Sequence, residues 1–171
     1  MTKFFLTAKH WQIFLLFLFG TFNANFTYEG RPTVTIVVRL IGTLISFSWV
    51  LFVGHGLYNY LPKKIHFNYN LFLVNFFICL TAYTTVMILS DGDGMTFNGL
   101  PALPGFYVFY ALLYITTFPG RLLKSIEIDE KAKLGGYIGN FFLLIFWPIG
   151  IWFLQPRINK VVAGQDANQM E

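Results

Sequence analysis

Charge is what this chain has least of. Only 12% of its 171 residues are Asp, Glu, Lys or Arg, where an ordinary soluble domain carries about a quarter. Too few charges remain to solvate a globule of this size, so the outer surface must itself be apolar. Cysteine is nearly absent. Cys79 stands alone, which excludes an intrachain disulfide and any CxxC metal or redox site. Acidic residues number eight against twelve basic ones, giving a net charge of +4. The basic residues are scattered between apolar runs and form no stripe with interleaved aromatics, which excludes a nucleic-acid surface.

Reaction motifs are missing as well. There is no HExxH for zinc, no GxSxG for a serine hydrolase and no GxxxxGK[ST] for phosphates. The apolar runs lack the paired carboxylates that aspartyl proteolysis within a membrane needs. No enzyme activity, cofactor or metal is therefore expected. Asp91 and Asp93, followed by Asn98 and Gly99, resemble the start of a calcium loop. The twelfth position, where a bidentate Glu belongs, is Ala102, so a solvated turn is the expectation. The sequon Asn25-Phe26-Thr27 lies too close to an apolar run to count for much.

What is present is length of apolar sequence. Hydrophobic residues make up 56% of the chain, aromatics 20%, and the mean hydropathy is +0.58. Runs of about 20 apolar residues predict membrane-crossing helices over residues 11–28, 33–60, 69–89 and 105–123. Lys3 and Lys9 precede the first run as in a signal peptide, but no small-x-small cleavage site follows Gly20, and a retained anchor is expected. With the N-terminus in the cytoplasm, eight of the first ten basic residues fall on the cytoplasmic side, as the positive-inside bias requires. A fifth run, residues 135–154, is broken by Pro148 and Gly150. A full crossing would export Arg157 and Lys160 against the bias. A turn at Trp147-Pro148-Ile149-Gly150 would return the tail to the cytoplasm, and re-entry is the favoured expectation over a kinked crossing. The architecture expected is an all-α integral membrane bundle of four spans plus a broken fifth segment. It forms a single domain over residues 1–160, with a polar tail over 161–171.

Few polar groups interrupt the runs. Arg39 lies seven residues beyond Pro32, roughly 10 Å into its span at ~1.5 Å per residue. It is expected to snorkel to headgroups or pair with Glu29 or another outer carboxylate. His55 between Gly54 and Gly56 reads as an interfacial hydrogen-bonding group rather than a proton relay. Gly42 with Ser46, and Gly135 with Gly139, are small-xxx-small pairs that let helix backbones approach. Asn75, Cys79 and Ala82 share a narrow helix face. Packing within the chain is the expectation for all of these. Gln155, Arg157, Asn159 and Lys160 form a polar end suited to the headgroup region.

The box from Pro148 to Asn159, PIGIWFLQPRIN, together with the opening Thr7-Ala-Lys-His-Trp-Gln-Ile-Phe14, resembles a family of small bacterial multi-pass inner-membrane proteins. The resemblance implies a bacterial inner membrane and a similar threading, and carries over no catalytic residue and no activity. A non-enzymatic scaffold or accessory subunit is the leading expectation. Its expected partners are membrane lipids, with another membrane protein or self-association as further possibilities. A small transporter or channel-like protein, using Arg39 and the polar groups of the second and third spans, is the alternative. Such proteins usually carry paired broken helices or an internal repeat; this chain has a single break.

Overall fold

Residues 1–89, 99 and 102–168 are described in the computed structural model, and they are helix and connecting loop with no strand among them. The helices are α1 (Thr2–Thr7), α2 (His10–Asn25), α3 (Pro32–Asn59), α4 (Tyr69–Leu89), α5 (Leu103–Ile128), α6 (Leu134–Ile145) and α7 (Trp147–Asn168). Three of them, α3, α4 and α5, are long and apolar enough to cross a membrane. The expected first span falls short of that length. α2 has 16 residues, or ~24 Å of helix against a hydrocarbon core of ~30 Å. Its end is marked by Asn23 and Asn25, whose amides turn back to the carbonyls of Phe19 and Thr21, each at 2.8 Å.

Local chemistry accounts for the other boundaries. Gly30, at φ 69°, reverses the chain, and Pro32 opens α3 at a position where its missing N–H costs nothing. Pro62 lies just beyond the end of α3. α5 closes on Asp129, the one non-glycine residue with positive φ (52°) among the described residues, and Ser125 Oγ accepts from Ala132 N at 3.0 Å across the turn. α4 matches the expected run at both ends, while α5 extends past the expected residue 123 to Ile128.

The chain divides into two compact units. Unit 1 comprises Met1–Leu15, Trp49–Tyr69 and Thr116–Glu171. Its core is built from Ile13, Val53, Leu57, Leu122, Ile151 and Ile158, all essentially buried. Unit 2 comprises Leu16–Ser48 and Asn70–Ile115, with Phe72, Ala111 and Ile115 at its centre. Outward-facing residues are large and apolar: Phe77 on α4 is 56% exposed and Phe106 on α5 is 71% exposed. Surface of this kind on span-length helices belongs in lipid.

The broken fifth run forms a hairpin. α6 has 12 residues, ~18 Å of helix, too short to cross. The chain turns at Phe146 (φ −88°, ψ 57°), whose N–H bonds Phe142 O at 3.0 Å. The break thus lies just before the Trp147–Gly150 segment expected to form it. Pro148 sits in the first turn of α7, where no helical donor is lost. Gly150 serves a different purpose: a Cβ there would overlap the Leu143 carbonyl, so glycine is what lets α7 lie against α6. α7 then continues beyond Lys160 into the sequence expected to be tail.

Candidate functional site

Among the described residues, a buried polar cluster in unit 1 centres on Gln155. The side chain is fully buried. Its Oε1 accepts from Trp49 Nε1 at 3.1 Å. Its Nε2 donates to Phe5 O at 2.8 Å, Ala8 O at 3.2 Å and Asn159 Oδ1 at 3.1 Å. Asn159 Nδ2 donates in turn to Ala8 O at 3.0 Å. The reason lies in α1. A helix leaves its last carbonyls without intrahelical donors, and in a six-residue helix those carbonyls are most of the element. Two amides of α7 cap them. Gln155 was expected at headgroup level; it is instead inside the protein, because α1 brings it buried acceptors.

Two residues further along α7, Arg157 forms a fork with Glu127, Nε to Oε1 at 2.8 Å and Nη2 to Oε2 at 2.7 Å. Arg157 Nη1 donates to Asn140 Oδ1 at 2.7 Å, and Asn140 Nδ2 donates to Gly120 O at 3.0 Å. α5, α6 and α7 are thereby joined by one guanidinium. Bidentate charge-assisted bonds are the strong kind, though the pair is partly open to the surroundings, with side-chain exposures of 35% and 24%. His55 Nδ1 lies 2.6 Å from Tyr69 OH, joining α3 to α4.

In unit 2, Arg39 is buried and bonds backbone and hydroxyl: Nε to Phe26 O at 3.2 Å and Nη2 to Thr27 Oγ1 at 2.6 Å. It folds back onto the segment following α2. Gly42 meets α2 so closely that a Cβ would strike the backbone of Asn23 and Ala24, and a Cβ at Gly20 would lie 2.7 Å from Ser46 Oγ. Asn75 is fully buried and accepts from Tyr107 OH at 3.1 Å. Cys79 Sγ lies 3.7 Å from Val108 O, so the Asn75 face of α4 packs on α5. Ala82 is partly exposed.

One packing expectation is corrected. Gly135 and Gly139 have nothing within 4 Å of where a Cβ would stand. α6 covers the side bearing Tyr137 and Asn140 and leaves the glycine pair open. Asp91, Asp93 and Asn98 lie outside the described residues. Among the described residues no group of three His, Cys, Asp or Glu side chains could hold a metal.

Sequence reading missed Trp49, Glu127 and Asn140 as partners, and Gly20 with Ala24 as the α2 counterpart of Gly42. The available signal was that polar groups at membrane depth pair with one another by default. Comparisons with protein-family models, with curated proteins and with solved structures return no match.

Proposed function

We propose that the protein is a non-enzymatic scaffold or accessory subunit of the bacterial inner membrane, threaded by α2, α3, α4 and α5, with α6 and α7 as a re-entrant hairpin. Parity supports this threading. Gln155 holds Phe5 and Arg157 holds Glu127, and these two α7 residues are only two positions apart. That arrangement supports placing Phe5 and Glu127 at the same side of the bilayer, and hence an even number of crossings between them. α3, α4 and α5 are long and apolar enough for three, and on this reading α2 is the fourth. Its shortness is met by local thinning of the bilayer. The charge distribution agrees: of the twelve Lys and Arg residues, only Arg31 and Arg39 lie outside unit 1, so a cytoplasmic unit 1 satisfies the positive-inside bias. The resemblance of the C-terminal box enters through the bacterial inner membrane alone.

The observation that carries the scaffold reading is the Gln155 cluster. This buried polar site is occupied by the chain's own amides, indole and carbonyls, which supports rigidity rather than turnover. The alternative is a small transporter, favoured by one observation: Asn75 Nδ2 is buried without a hydrogen-bond partner among the described residues. Purification from native membranes in mild detergent tests the two. A stoichiometric co-purifying membrane protein, lost on disruption of the exposed α6 face, supports the scaffold. Solute flux in proteoliposomes that Asn75→Leu abolishes overturns it.

A further inference from the structure

The loop after α3 and the turn after α5 meet in unit 1 around an open groove of about 580 Å³, lined by Lys64, Ile65, His66, Asp129, Glu130 and Lys131. The groove lies where span-length helices end: α3 stops at Asn59, α4 starts at Tyr69 and α5 stops at Ile128. That is the depth of lipid headgroups on the reading of these three helices as spans. Its charges are unevenly used. Lys64 pairs with Asp129, whereas among the described residues Glu130 and Lys131 make no ion pair. Lys131 Nζ instead stands 5.4 Å from the Phe67 ring centre. The guanidinium carbon of Arg121 is 5.1 Å from the same ring and 5.2 Å from that of Tyr137, and Arg121 Nε is buried with no hydrogen-bond partner among the described residues. Ile65, nearly buried, supplies an apolar floor.

The geometry points to a binding site for a zwitterionic phosphoethanolamine headgroup. The phosphate meets Lys131, with the His66 imidazole beside it, and the primary ammonium meets Glu130 and the rim of Asp129. The four charged groups of the lining sum to zero, so the lining itself gives an anionic headgroup no net attraction, and Glu130 repels it. A trimethylated ammonium has no N–H to give a carboxylate and depends on open aromatic faces. Phe67 already carries two cations. A primary ammonium, with three donors, fits the carboxylates.

The test is thermal melting of the full-length purified protein in detergent during titration with dihexanoyl phosphatidylethanolamine, phosphatidylcholine or phosphatidylglycerol, and with soluble phosphoethanolamine. A saturable rise is expected with phosphatidylethanolamine and not with the other two lipids. Glu130→Gln and Lys131→Gln each weaken the apparent affinity about tenfold, the loss of one charge-assisted contact, while exposed Lys133→Gln outside the groove retains it. Tighter binding of the lipid than of soluble phosphoethanolamine supports a membrane source; equal binding supports the same chemistry from a soluble source. Phosphatidylcholine or phosphatidylglycerol matching phosphatidylethanolamine overturns the assignment. So does an affinity unchanged in both groove variants.

Discussion

Replacing Gln155 by leucine keeps the volume of the side chain and removes both ends of the amide. Trp49 Nε1 loses the acceptor it uses at 3.1 Å, and Phe5 O loses its donor at 2.8 Å. Ala8 O keeps Asn159 Nδ2 at 3.0 Å and is little affected. Each buried group deprived of its partner costs about 1–3 kcal/mol, so Gln155→Leu should destabilise the protein by roughly 2–6 kcal/mol. Asn159→Leu should cost far less, about 1 kcal/mol, since Ala8 O retains Gln155 Nε2 at 3.2 Å. Gln155→Glu is the sharper variant. It preserves the acceptor for Trp49 but faces the oxygens of Phe5, Ala8 and Asn159 with a buried negative charge, which is worse than leucine at neutral pH. Protonation restores a donor toward those oxygens, so the stability of this variant should fall as pH rises. Part of the loss should return on acidification, when the carboxyl donates again. Unfolding in mixed detergent, followed by circular dichroism at two pH values, measures all three variants. A Gln155→Leu protein that unfolds with the parent, or an Asn159→Leu protein equally damaged, would refute the capping account of α1.

The same glycine substitution should have opposite signs at two small-xxx-small pairs. Gly42→Ala, which strikes the backbone of α2, should lower the melting temperature, whereas Gly139→Ala meets nothing within 4 Å and gains helix propensity of up to about 1 kcal/mol. Arg39→Leu should destabilise strongly, since it strips the donors from Phe26 O and Thr27 Oγ1. Arg39→Lys, which keeps the charge without the planar fork, should fall between it and the parent; equal melting of all three would show that the guanidinium holds nothing. For Arg157 and Glu127, a double-mutant cycle with Arg157→Gln and Glu127→Gln in detergent should return a coupling energy above about 1 kcal/mol, and additive effects would mean that the fork is not maintained.

Periodicity and punctuation made much of the helix layout legible. α4 is an apolar run with polar sequence on both sides, and α3 is bracketed by Pro32 and Pro62, so local chemistry alone sets their limits. The break in the last run was visible, but its position was not. Pro148 looks like a helix stop, yet at the second position of a new helix it forfeits no bond, and the turn falls at Phe146. The site was largely illegible because its partners are remote. Gln155 finds Phe5 at a sequence separation of 150 and Trp49 at 106, and nothing local distinguishes it from a headgroup-facing amide. The glycine pairs teach the same lesson. Gly42/Ser46 and Gly135/Gly139 share a spacing, but only the path of α2 decides that the first pair is covered.

The claim on which the account turns is that α7 brings the C-terminal segment back to the side of the N-terminus and of Glu127. A single cysteine at Ala163, an exposed position on α7, in a Cys79→Ala background tests it directly. A membrane-impermeant maleimide is applied to cells with a permeabilised outer membrane, before and after the inner membrane is lysed. Protection until lysis is the predicted result. Labelling in unlysed cells would mean that the last segment crosses, and would contradict both the hairpin re-entry and the parity that makes α2 a span.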